Sequence, residues 1–304
     1  MAMNSNASSW TSGNLATSAS SDSGAAPAAR STRITRRFEE LRRTGQMGLV
    51  AFITAGDPTL AATESLVLAL AEAGADVIEL GVPFSDPVAD GPAIQRSSER
   101  ALRAGTTLAG VLGVVERVRQ HSDVPLVLFS YYNPVLQMGL ERFADRAAAA
   151  GADGVLITDL TPEESADYRR IVTARGLDTI FLAAPTSPDE RLARIAACSS
   201  GFLYLISRTG VTGTKKSLPD DLPGLVRRVR RMTSLPIAVG FGISEPGHVS
   251  LLGGLADAAV VGSALVEEIA RSTSVAAAQV AVAARVRALK QAGVLGMSRR
   301  EPQP

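Results

Sequence analysis

The sequence predicts a closed (β/α)8 barrel of the TIM-barrel class, led by a short N-terminal helix and a disordered N-terminal tail. Three observations carry that expectation. Eight short apolar runs rich in β-branched residues recur along the chain. Between them lie Ala-, Leu-, Arg- and Glu-rich stretches with the spacing of amphipathic helices. Three helix-to-strand joints also read alike: Gly74-Ala75-Asp76, Gly151-Ala152-Asp153 and Gly254 through Asp257. Glycine just past a helix supplies a left-handed cap, and the next run opens a strand.

Residues 1–31 are mainly Ser, Ala, Asn and Gly, with almost no large apolar groups, one acid, Asp22, and the chain's single tryptophan, Trp10. Such a segment buries too little apolar surface to offset its ordering entropy, so it reads as a disordered tail. Its Ser/Ala richness faintly resembles an organellar transit peptide, but arginines are sparse before Arg30 and no amphipathic pattern appears. A cytoplasmic location is expected, with a plastid as the minor alternative. A polar helix follows from Ile34 to Arg43.

The strand runs then come in order: Gly48 to Ala55, Asp76 to Pro83, Val124 to Ser130 and Asp153 to Asp159. They continue as Asp178 to Pro185, Gly201 to Ser207, Leu235 to Gly242 and Asp257 to Ala264. Strands separated by helices pair in parallel, because a tight hairpin cannot join parallel strands. A doubly wound open sheet also fits that alternation. Eight units over roughly 245 residues favour the closed barrel, whose usual size is about 250. The barrel is expected over residues 32–296, with a flexible C-terminal tail at 297–304. The loops after the second and sixth strands are long, and in a barrel both lie on the C-terminal face, where substrates bind.

Composition excludes little but points one way. A net charge of +1 gives no electrostatic argument for nucleic acid or an anionic membrane. No apolar run approaches the roughly 20 residues that span a bilayer. Cys198 is the only cysteine, so no intrachain disulfide and no cysteine metal site is expected. The balance suits an enzyme acting on a small molecule.

The second strand carries the clearest chemistry. Val77, Glu79 and Gly81 face one way, Ile78 and Leu80 the other. The all-apolar pair suits the helix-facing side, which puts Glu79 inside the barrel. Burial there should raise its pKa toward the range useful for proton transfer. A structural ion pair is the alternative, although no arginine lies in any of the strand runs. In the following loop, Pro83 to Pro92, three prolines and a glycine define the path of Asp86 and Asp90. Taken alone, an aspartate in such a loop reads as a turn residue. Tyr204 shares a strand face with Phe202 and Ile206, so its hydroxyl reaches the interior, as a core tyrosine or a functional one.

Glycines suggest an anion site. The seventh run ends in Gly240-Phe241-Gly242, the eighth in Gly262-Ser263 before a helix, and the sixth loop holds Gly210 and Gly213. Barrels often seat a phosphate between these loops and a helix N-terminus. The three lysines, Lys215, Lys216 and Lys290, lie outside the strand runs, against a Schiff-base aldolase. The two histidines, His121 and His248, fall at a helix end and within a helix, away from the barrel mouth, and form no metal cluster; no metal is expected. Carboxylate and tyrosine acid/base chemistry on a phosphorylated substrate remains.

These segments resemble a known family. AFITAGDP (Ala51 to Pro58), IELGVPFSDPVADGP (Ile78 to Pro92), LISRTGVTG (Leu205 to Gly213), GFGI (Gly240 to Ile243) and VGSA (Val261 to Ala264) are similar to the tryptophan synthase α-subunit family, in order and at matching intervals. The resemblance covers residues 33 to 293. It implies cleavage of indole-3-glycerol phosphate to indole and glyceraldehyde 3-phosphate, with Glu79 as acid/base, Asp90 as second catalytic carboxylate and Tyr204 beside the substrate. It also implies phosphate binding by Gly213, Phe241, Gly242, Gly262 and Ser263, and an indole pocket including Phe52, Phe129 and Thr212. No cofactor is implied for this chain. The implied partner is a pyridoxal-phosphate β-subunit in an α2β2 heterotetramer, met by the second loop around Asp86. A free-standing indole-glycerol-phosphate lyase and a non-catalytic phosphate-binding barrel that modulates a partner are the alternatives.

Overall fold

In the computed structural model the described residues are 31–207, 219, 221–240 and 242–297. The N-terminal tail, the C-terminal tail from residue 298, and Gly210, Thr212, Gly213, Lys215, Lys216 and Phe241 lie outside them. All eight expected strand runs form strands: β1 (Gly48–Thr54), β2 (Val77–Gly81), β3 (Leu126–Ser130), β4 (Gly154–Ile157), β5 (Asp178–Ile180) with β6 (Leu182–Ala183), β7 (Leu203–Ile206), β8 (Ile237–Gly240) and β9 (Ala258–Val261). The fifth run is the one that breaks, at Phe181.

That break is where the ring closes. The strands pair in parallel in the order β5-β4-β3-β2-β1-β9-β8-β7-β6, so β5 and β6 are the two ends of the sheet. They are also halves of one stretch, with only Phe181 between them. One half pairs with β4 and the other with β7, and Phe181's carbonyl accepts the Tyr204 N–H at 3.2 Å. The open-sheet alternative is thereby set aside.

Helices α1 (Arg33–Thr44), α2 (Leu60–Glu72), α3 (Pro92–Arg103), α4 (Leu108–Arg119), α5 (Tyr132–Met138), α6 (Leu140–Ala150), α7 (Ala166–Ala174), α8 (Asp189–Cys198), α9 (Leu222–Arg230), α10 (Pro246–Leu252), α11 (Ser263–Arg271) and α12 (Val275–Met297) connect and surround the strands. Strand alternation divides the buried residues into two cores. Ile78 and Leu80 join the large outer cluster with Leu66, Leu70 and Val111 of the helices. Val77, Val50, Val127, Leu156, Phe202 and Tyr204 fill the interior. Helix α1 belongs to that inner cluster through Ile34, Phe38 and Leu41, so it plugs the N-terminal end of the barrel. Phe38 meets Phe202 there, ring centroids 5.8 Å apart.

The three similar joints do more than end helices. Gly74, Gly151 and Gly254 all have positive φ, as expected. The aspartate that follows each one accepts a backbone N–H from the neighbouring strand. Asp76 takes Leu49's at 2.6 Å, Asp153 takes Leu126's at 2.8 Å and Asp257 takes Ile237's at 2.7 Å. Each is also neutralised by cations: Arg37 and Lys290 on Asp76, Arg33 and Arg119 on Asp153, Arg230 on Asp257. Since Arg33 and Arg37 come from α1, the same carboxylates that clamp strand to strand also fasten the plug. Lys290 is thus a structural cation at the N-terminal end.

Candidate active site

The C-terminal ends of the strands converge on Glu79. It is fully buried, with Phe52 and Val127 as its register neighbours on β1 and β3. Neither carboxylate oxygen has a hydrogen-bond partner among the described residues, so no ion pair forms. A bare carboxylate in an apolar interior is costly to ionise, and desolvation alone pushes its pKa to about 8. Tyr204 projects into the same interior, 5% exposed, and the charge of Glu79 is among the causes raising its phenol above the ordinary range, after burial itself.

Two glycines make room for these groups. A Cβ on Gly240 would run into the Tyr204 hydroxyl oxygen, and one on Gly81 would lie 2.5 Å from Phe52 Cζ. Both contacts are far inside van der Waals distance. We therefore expect Gly240→Ala to displace Tyr204 and to destabilise the fold by about 1–3 kcal/mol, the usual cost of overpacking. Urea unfolding together with turnover of the variant checks this; an unchanged midpoint would mean the ring shifts freely.

Asp90 lies at the mouth, in the loop between β2 and α3, 7% exposed. The loop is firmly built. Asp90's N–H bonds to Pro87's carbonyl at 3.0 Å, and Gln95's amide donates to Asp90's own carbonyl at 2.8 Å. Ala89's N–H donates to the Tyr131 hydroxyl at 2.9 Å, while Phe84's ring packs on Tyr131 at 5.0 Å. Desolvation raises Asp90 to about 6, offset in part by a hydrogen bond from Tyr131. Asp86 is exposed and bonded to Ser85, as a turn residue is.

An apolar wall closes the mouth. Phe52 and Phe129 meet edge to face at 5.2 Å, and Ile94 of α3 and Val266 of α11 pack with them. Gly262 abuts Phe52 and serves as N-cap of α11, whose first residue is Ser263; Gly242 turns the chain after β8 with φ +93°. The loop after β8 is supported from an unexpected quarter. His248 has a first-turn position on α10, and its Nδ1 accepts the Ser244 N–H at 3.3 Å.

Glu79, Tyr204, Phe52 and Phe129 are thus brought together, with Asp90 and the Gly262–Ser263 turn at the rim. Ile94, Val266 and Tyr131 were missed by sequence reasoning. Tyr131 stands one residue beyond the third strand run, at a strand C-terminus where functional residues of barrels concentrate. Ile94 and Val266 reach the mouth from helices, and strand parity gives no signal for them.

A family model for the tryptophan synthase alpha chain matches residues 38–294. The chain belongs to that family. It is accordingly an enzyme of the lyase class. The tryptophan synthase alpha chain of Solibacter usitatus is 53% identical over 260 residues, covering 86% of this chain and 97% of the relative. That of Geobacter sulfurreducens is 52% identical over 243 residues, covering 80% and 92%. Among solved structures, Mycobacterium tuberculosis tryptophan synthase aligns at TM-score 0.80 and 34% identity, covering 87% of this chain and 99% of that one. The Legionella pneumophila alpha chain aligns at TM-score 0.80 and 35% identity, covering 90% and 99%. The same barrel thus recurs across the family. Among the described residues, no helix is long and apolar enough to cross a membrane.

Proposed function

We propose that the chain cleaves indole-3-glycerol phosphate by a retro-aldol reaction, giving indole and glyceraldehyde 3-phosphate within tryptophan biosynthesis. The observation that carries this reading is the contrast between two carboxyl groups. Burial pushes Glu79 further above its ordinary value, to about 8, than it pushes Asp90, to about 6, so Glu79 is the group favoured as the acid and Asp90 the group favoured as the anion. Paired groups whose environments separate their pKa values divide acid and base roles.

The steps follow from that division. Glu79 gives its proton to indole C3, and the resulting cation is delocalised onto the indole N–H. Asp90's carboxylate stabilises that cation. The Glu79 carboxylate then removes the proton of the substrate's 3′-hydroxyl as a C=O bond forms there. The electrons of the breaking carbon–carbon bond return to the indole ring. Glu79 ends the cycle protonated as it began, and no cofactor is needed. Tyr204 lies beside the reacting carbons. Phe52, Phe129 and Thr212 sandwich the indole, with Ile94 and Val266 extending the wall. The phosphate sits against Gly213, Phe241, Gly242, Gly262 and Ser263, where first-turn N–H groups and the dipole of α11 favour an anion. The catalytic barrel comprises residues 32–296, flanked by tails at 1–31 and 297–304.

Indole is handed to a pyridoxal-phosphate β-subunit in an α2β2 heterotetramer in the cytoplasm. The similarity to a chain of M. tuberculosis tryptophan synthase, solved in an aminoacrylate-bound form, supports such a partner. So does the second loop, which presents Val88 80% exposed. Indole release from indole-3-glycerol phosphate, assayed with and without a β-subunit, tests the whole reading. Release that the partner stimulates is expected; none under either condition would sink it. Light scattering of the mixture checks the stoichiometry.

A further inference from the structure

We infer that Tyr131 is a positioning residue that holds the Asp90 carboxylate, as an anion, over the indole N–H. The inference rests on the catalytic role proposed for Asp90. Tyr131 leaves the end of β3 and is 3% exposed, so its phenol is inside the fold and not in water. A phenol has one proton and two acceptor lone pairs. Ala89's N–H occupies an acceptor position at 2.9 Å, which directs the hydroxyl proton toward the neighbouring Asp90 carboxylate. Phe84's ring, 5.0 Å away and tilted by 32°, fixes the plane of the tyrosine. Asp90's backbone is already held on both sides, through its N–H to Pro87 and its carbonyl from Gln95. What remains free is the side-chain rotation, and Tyr131 is the group placed to stop it.

The electrostatics agree with the geometry. Burial, then Asp90, with Asp159 adding in the same direction, raise the Tyr131 phenol above its ordinary value, so it keeps its proton and stays a donor. Asp159 itself accepts the Tyr132 N–H at 2.7 Å. For Asp90 the Tyr131 bond opposes the desolvation that favours the neutral acid. Removing that bond would leave desolvation unopposed. Asp90 would then bind a proton at a higher pH and be neutral when the indole cation forms.

Tyr131→Phe isolates the hydroxyl, since the ring and its contact with Phe84 are kept. We expect kcat to fall about ten- to hundredfold, the scale of a hydrogen bond to a charged group, with KM changed little. The acid limb of kcat/KM should move to higher pH by about one unit, with the melting temperature nearly constant. Asp90→Asn and the double variant complete a cycle. If Asp90 and Tyr131 act as one unit, Tyr131→Phe should cost almost nothing further in the Asp90→Asn background. An unmoved acid limb with near-normal kcat, or activity falling only in step with stability, overturns the inference. Near-normal turnover by Asp90→Asn would instead overturn the catalytic role of Asp90. An inactive Asp90→Asn beside a normal Tyr131→Phe would overturn only the positioning.

Discussion

Glu79→Gln is expected to lower the rate of indole release by roughly 10²–10⁴-fold, the range of general acid/base catalysis, while the protein stays folded. Glutamine keeps the volume and some hydrogen-bonding capacity but carries no transferable proton. Binding of glycerol phosphate should barely change, because the proposed phosphate contacts come from other strands and from α11. Stability supplies the second readout. Glu79's folded pKa, about 8, lies above the ordinary 4.5, so the native state binds more protons than the unfolded chain between those values. The wild-type fold therefore loses stability as pH rises through that window. The variant lacks this slope: it should match the wild type near pH 5 and exceed it above pH 8. Parallel unfolding curves at the two pH values, with turnover from the same preparation, decide the matter. A folded variant with near-normal turnover would remove Glu79 from the mechanism. A stability gap that does not widen with pH would mean the carboxyl is not buried as a neutral acid.

The strands were legible because each has the same local signature: a β-branched run bounded by glycine, proline or aspartate. Parity within β2 was enough to assign Glu79 to the interior, since Ile78 and Leu80 could face only the helices. The long second loop stood out through its prolines, and with it Asp90. What escaped depends on how separate segments meet. The break at Phe181 lies between the half of the fifth run that pairs with β4 and the half that pairs with β7, a division set by neighbours distant in sequence. Ile94 and Val266 line the mouth because α3 and α11 start close to it, which no periodicity reveals. Tyr131's link to Ala89 arises only once the second loop folds back over the third strand. The Gly-Ala-Asp joints were read for their glycines. Their aspartates gained meaning when strand register set a neighbouring N–H opposite each carboxylate.

Asp153→Ala is expected to produce the opposite phenotype: a large loss of stability with turnover per folded molecule intact. The Asp153 side chain is 4% exposed and holds Arg33 at 3.0 Å and Arg119 at 2.9 Å, besides accepting Leu126's N–H. Alanine would leave that N–H without its acceptor and Arg119, only 12% exposed, without its carboxylate, while Arg33 keeps Asp123 at 3.3 Å. Breaking a buried pair from one side typically costs about 3–5 kcal/mol, because the remaining charge stays desolvated. Arg119 retains the carbonyls of Gly151, Ser122 and Val124, so the lower part of that range is the better expectation. Asp167 provides the control. Its pair with Arg170 is 83% and 68% exposed, and exposed pairs contribute about 0–1 kcal/mol. Asp167→Ala should therefore move the unfolding midpoint hardly at all. Because Asp153 opens its strand at the N-terminal end and Glu79 faces the opposite mouth, barrel geometry separates the two effects. Urea unfolding of both variants, with indole release assayed well below each midpoint, tests that separation. If Asp153→Ala lost turnover as steeply as Glu79→Gln while remaining folded, the clamp at the N-terminal end would have to be coupled to the site. The division between a stabilising end and a reacting end would then fail for this barrel.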